Sequence, residues 1–182
     1  MAMVSVRSVA VALGLFVCLS ACAAQPRAAV RPAKPAGAPS QKALGGTIES
    51  QDKALGAALV VLNLAPSPEH HRAVAGEYRR LGILDAAFDH LTAATRLDPR
   101  DAAAYDARAR IWRDWGFPEL GMADSARAVF FAPNSAAAHN TWGTLLAAAG
   151  FNAEAKREFE AALALDPQAA FARANLCRVG GC

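Results

Sequence analysis

The sequence is poor in residues that carry chemistry. Among its 182 residues are 4 histidines and 4 cysteines. No cysteine or serine lies in a recognisable nucleophile motif, and no glycine-rich loop is spaced to cradle a phosphate. His70 and His71 are adjacent, so on a helix they point about 100° apart and cannot chelate one metal ion. His90 stands alone among surface polar residues. These gaps leave no candidate catalytic residue, metal or cofactor, and the expectation is a protein that is not an enzyme. Acidic residues are missing from the first 46 positions, whereas residues 47–182 carry 14 basic and 16 acidic side chains. That near-neutral balance argues against nucleic acid as a partner. The apolar run from Val9 to Leu19 is too short to span a bilayer.

What the chain has in excess is alanine. Hydrophobic residues make up 54% and charged residues 19%, a composition that folds, and the alanine favours closely packed helices. Arg7 followed by the apolar run reads as a secretory signal over 1–21. Residues 22–46 hold Arg27, Arg31, Lys34 and Lys42, four prolines and no acid. Such a segment cannot bury enough apolar surface to order itself and reads as a tether.

Leu19, Ser20, Ala21 and Cys22 resemble the lipobox of bacterial lipoproteins. The resemblance implies that the Cys22 thiol receives a diacylglyceryl group, that cleavage falls just before it, and that the new amino terminus is acylated. Buried acyl chains hold durably, at about 0.8 kcal/mol per methylene. Ala23 stands where an aspartate would resemble an inner-membrane retention signal, which implies an outer-membrane protein facing the periplasm. The alternative is an ordinary signal peptide cut near Ala21, releasing a soluble periplasmic protein.

A period organises the rest. Pro99, Pro133 and Pro167 are 34 residues apart, and Gly82, Gly116 and Gly150 keep the same register. Self-similarity of this length signals a helical solenoid. Each unit reads helix, glycine turn, helix, proline stop. Small residues recur where helices must approach closely (Ala75, Ala109, Gly143; Ala94, Ala128, Ala162), and large ones where holes must be filled (Tyr78, Trp112, Leu146). Leu97, Phe131 and Leu165 are expected to close each unit. The pattern resembles the tetratricopeptide repeat, most closely at Trp142, Gly143, Gly150, Ala155, Phe159, Ala162 and Pro167.

That resemblance implies an all-α, right-handed solenoid with repeats at 68–101, 102–135 and 136–169. An amino-terminal packing helix at 47–67 and a capping helix at 170–182 would flank them. The second repeat departs from the pattern at Arg108, Gly121 and Ser125, so its second helix is expected to pack loosely. His71 and His139 share a repeat position with Tyr105, which makes packing their simplest role. Phe130, aligned with Arg96 and Ala164, is expected to face outward.

In tetratricopeptide proteins the first helix of each unit lines a concave groove. The corresponding positions here are Arg72, Gly76 and Arg79, then Asp106, Arg110 and Arg113, then Asn140 and Thr144. Asp106 with Arg110, and Arg110 with Asp114, have the spacing of ordinary helical ion pairs. Gly76 leaves room for a ligand backbone, where alanine would favour the helix by about 1 kcal/mol. The lysine and asparagine set with which some relatives clamp a terminal carboxylate is missing. The expectation is a non-catalytic scaffold that holds an extended, acid-leaning segment of an envelope partner. Its layout is similar to that of lipoproteins that assemble pili and secretins, or that serve as adaptors for cell-wall enzymes; a self-associating structural lipoprotein is a further alternative. Finally, Cys177 and Cys182 flank two glycines, so an oxidising envelope permits them to pair, with two free thiols as the alternative.

Overall fold

The computed structural model describes residues 48–182, which hold nine helices and no strand. A single turn, α1 (Ile48–Gln51), precedes α2 (Lys53–Leu64). Three hairpins follow: α3 (Pro68–Arg80) with α4 (Leu84–Leu97), α5 (Ala102–Asp114) with α6 (Pro118–Phe131), and α7 (Ala136–Ala148) with α8 (Asn152–Leu165). The short α9 (Ala170–Arg178) ends the stack. This is the helical solenoid that the 34-residue period implies.

Local signals recur with that period. Ser67, Asp101 and Ser135 each accept a hydrogen bond from the backbone N–H three residues on, at 3.2, 3.0 and 3.2 Å, and so start the first helix of every unit. Gly82, Gly116 and Gly150 have φ of 74°, 85° and 88°, the left-handed conformation in which a side chain is disfavoured. The residue after each glycine then donates to a carbonyl five positions back (Ile83 to Tyr78, Phe117 to Trp112, Phe151 to Leu146), closing a Schellman turn. After the second helix of the first unit, the Asp98 carboxylate accepts from the Arg100 N–H at 2.9 Å, and Asp166 repeats the bond with Gln168. Asp52 breaks the stretch expected as one packing helix, because its carboxylate caps α2 by accepting from Leu55 N–H.

The small columns are where the helices touch. Ala94, Ala109, Ala128 and Ala162 are fully buried. At Gly143 a Cβ would lie 2.6 Å from the ring of Phe159, so glycine alone seats that aromatic. Two expectations fail. Leu97 and Leu165 do not close their units inward, being 56% and 41% exposed; only Phe131, stacked on Tyr105 with ring centroids 6.0 Å apart, is partly buried. The second repeat is also not loose. A Cβ on Gly121 would meet the Ala109 carbonyl at 2.9 Å and Trp112 Cβ at 3.1 Å, so the glycine brings α6 hard against α5. Arg108 then occupies the apolar position as an ion pair. Its Nε and Nη2 donate to the two oxygens of Asp124, both at 2.7 Å, its Nη1 donates to Thr95 at 3.1 Å, and it lies over Phe88 and Tyr105. A polar cluster sealed by aromatics thus stands between α5 and α6.

Candidate partner-binding groove

The first helices of the units, α3, α5 and α7, run side by side, and α9 continues the row. Ion pairs tie them together. Arg72 on α3 donates from Nε to Asp101 at 2.8 Å, the same carboxylate that caps α5. Arg79, at the end of α3, reaches Asp114 through Nε and Nη2 at 2.9 and 2.8 Å. Arg113 grips the other oxygen of Asp114 at 2.9 Å. Two guanidiniums therefore share one carboxylate. Arg110 pairs with Asp106, one turn back on α5. The expected pair of Arg110 with Asp114 does not form: Arg79 and Arg113 hold Asp114, and Arg110 turns to Asp106.

A cavity of about 510 Å³ opens beside these arginines, and Arg79, Arg110, Arg113, Asn140 and Thr141 line it together with Phe171 of α9. A second, of about 440 Å³, adjoins it and shares Arg113, Asn140 and Phe171. Thr144 lines the second cavity, with Ala147, Phe159 and Val179 as its apolar wall. Five of the eight expected groove residues, Arg79, Arg110, Arg113, Asn140 and Thr144, thus converge on one concave surface. Arg72, Gly76 and Asp106 line neither cavity. Gly76 is exposed, with nothing within 4 Å of where its Cβ would be, and Asp106 is buried under Arg110.

The contribution of α9 was not anticipated. Phe171 is 81% exposed, Asn175 donates to Asn140 at 3.0 Å, and Arg178 rims the second cavity. The signal was the register itself, since Phe171 falls 34 residues after Ala137, on the first helix of a fourth, truncated unit. Cys177 and Cys182 are joined, with Cα atoms 4.8 Å apart, around a turn in which Gly180 has φ of 81°.

The histidines do not line the groove. His90 is not alone: its Nδ1 lies 3.0 Å from Nδ1 of His71, and its ring stacks on Tyr78 at 5.6 Å. Burial holds both imidazoles below the ordinary histidine range, and for His90 the neighbouring His71 adds to the effect. Among the described residues no group of three or more histidine, cysteine or acidic side chains could hold a metal ion. No described helix is long and apolar enough to cross a membrane. The expected lipid-bearing Cys22, with the 1–21 and 22–46 segments, lies outside the described residues.

No protein-family model matches the chain, and no curated protein does. Solved structures do. The first TPR of Spaghetti (RPAP3) bound to the HSP90 peptide SRMEEVD is 22% identical, with a TM-score of 0.60 over 62% of this chain and 90% of that one. The second TPR domain of human RPAP3, in complex with the HSP70 peptide SGPTIEEVD, is 22% identical with a TM-score of 0.57, over 60% of this chain and 91% of that one. The Sgt2 TPR domain from Aspergillus fumigatus is 16% identical with a TM-score of 0.60, over 63% of this chain and 78% of that one. At such identities the likeness fixes the fold, a tetratricopeptide solenoid.

Proposed function

We propose that this protein is a non-catalytic scaffold of the bacterial envelope, tethered by a lipid on Cys22, whose concave groove holds an extended, acid-leaning segment of a partner protein. The observation that carries the reading is the pair of adjoining cavities along α5, α7 and α9, bordered by Arg79, Arg110, Arg113 and Asn140. Two proteins of similar fold hold peptides, which supports a peptide as the occupant. Arg79 and Arg113 share the single carboxylate of Asp114, and a guanidinium carries five N–H donors. A partner carboxylate completes that arrangement by charge-assisted bonds. Pilus and secretin assembly machinery is the first partner class to examine, with cell-wall enzymes second.

The test uses a photocrosslinking residue at Thr144 in intact cells, with the captured protein identified by mass spectrometry. Arg79→Gln with Arg113→Gln should abolish capture while leaving the helical signal unchanged. Arg110 is left alone, because it neutralises the buried Asp106 and its loss would leave an unpaired interior charge. Undiminished capture by the folded double variant would remove the groove from consideration. For the anchor, Cys22→Ser should leave the membrane fraction or remain unprocessed, and a variant that stays membrane-bound at mature size would refute the lipid.

A further inference from the structure

The helix α2 is apolar around most of its circumference. Its inner face, Leu55, Ala58, Leu59 and Leu62, packs into the core with Val74, Ala75 and Tyr78. The opposite face is also apolar and lies open: Ala54 and Ala57 are exposed, as are Val60 at 57%, Val61 at 45% and Leu64 at 81%. With 3.6 residues per turn, these five side chains fall within about a third of the helix circumference. A helix apolar all round is ordinarily a buried one. Every other second-of-pair helix in the stack has a full first helix against it, whereas among the described residues α2 is preceded by the single turn α1.

We infer that this face binds the same face of a second copy of the chain, α2 against α2 and antiparallel, as a two-fold dimer. The stripe is tapered. It begins with small residues, Ala54 and Ala57, and ends with large ones, Val61 and Leu64. An antiparallel two-fold crossing sets Leu64 of one copy over Ala54 of the other and Val61 over Ala57, so that each large side chain meets a small one and the axes approach closely. Charge follows the same symmetry. Lys53 is exposed at the first position of α2, where a cation is disfavoured by the helix dipole. In the dimer it comes beside the carboxyl-terminal carbonyls of the other copy's α2, where a cation is favoured. A single helix pair buries little area, so the association is weak and suited to copies concentrated together. The inference is independent of the groove, which involves none of these residues.

A photocrosslinking residue at Val61 of the full chain in intact cells tests it. The expected product is an adduct of twice the chain mass whose crosslinked peptides join position 61 of one copy to the segment around Ala57 of another. An adduct with a different protein, an adduct with the chain's own residues 1–47, or no adduct at all overturns the proposal. With the probe moved to Leu64, Val61→Asp should lower the double-mass adduct at least roughly tenfold, since the change counts twice across the axis. Its circular dichroism should be unchanged. Should Val61→Asp fail to fold, Leu64→Asp with the probe at Ala57 takes its place, because Leu64 is the more exposed side chain. An undiminished adduct in a folded variant defeats the dimer.

Discussion

Ser125 shows how far a single side chain can sit from its optimum. It is fully buried, and its hydroxyl has no hydrogen-bond partner. Removing an unsatisfied buried polar atom gains back its desolvation, so Ser125→Ala should raise stability by about 1 kcal/mol in urea denaturation. Two glycines make a complementary pair. Gly143→Ala forces a methyl into the buried ring of Phe159 and should cost about 1–3 kcal/mol. Gly76→Ala meets nothing and should gain up to about 1 kcal/mol. A loss at Gly76 would show that its surroundings are tighter than described. The His71 and His90 pair sets a pH dependence. Both titrate below the ordinary value of 6.5, through burial first, although Asp89 pulls His90 the other way. Protonation therefore favours the unfolded chain, and the contribution is complete above about pH 6.5 and lost as pH falls below it. The melting temperature should drop between pH 7 and pH 5, and His90→Gln should flatten that slope; an unchanged slope would place the titration elsewhere.

Between elements, the informative contact is the one joining α5 to α6. Arg108 and Asp124 are largely shielded from water and bonded through both oxygens. Asp124→Ala strands the guanidinium and should cost about 3–5 kcal/mol, whereas Arg108→Leu combined with Asp124→Leu should come within about 1–2 kcal/mol of the parent. Equal losses in the single and double variants would mean that the pair does not act as a unit. This interface also marks the limit of what the sequence discloses. Glycine and proline are legible because their backbone constraints act locally, and Gly82, Gly116 and Gly150 fell in the turns they implied. Arg108, Gly121 and Ser125 each looked like a defect when compared with one repeat position. For Arg108 and Gly121 the meaning lies in partners on other helices, Asp124 and Thr95 for the one and Trp112 for the other, which a column of aligned units does not contain. Asp114 went to Arg79 rather than Arg110 for the same reason, since the spacing along one helix says nothing of the helix beside it. Five groove positions were legible through the repeat register, whereas the α9 wall was missed because that helix was read only as a cap.

Across the whole stack, the Cys177 and Cys182 bond closes the turn that ends α9 and so steadies one wall of the groove. Reduction should speed amide hydrogen exchange in α9 while leaving α3 to α6 unchanged; uniform acceleration would show that the bond supports the entire solenoid instead. The main contacts run from each helix to the next, with α3, α5, α7 and α9 also touching in turn. Such a molecule has a mechanical character that a closed globule lacks. Pulled from its amino-terminal end against a load held in the groove, it stretches as elements in series rather than shearing as a block. The terminal α1 and α2, which have neighbours on one side only among the described residues, would peel first, then the first hairpin, each releasing a short length of chain in its own small step. A ligand seated beside α7 and α9 would stay engaged through those steps, with slack released only at the amino-terminal side of the stack.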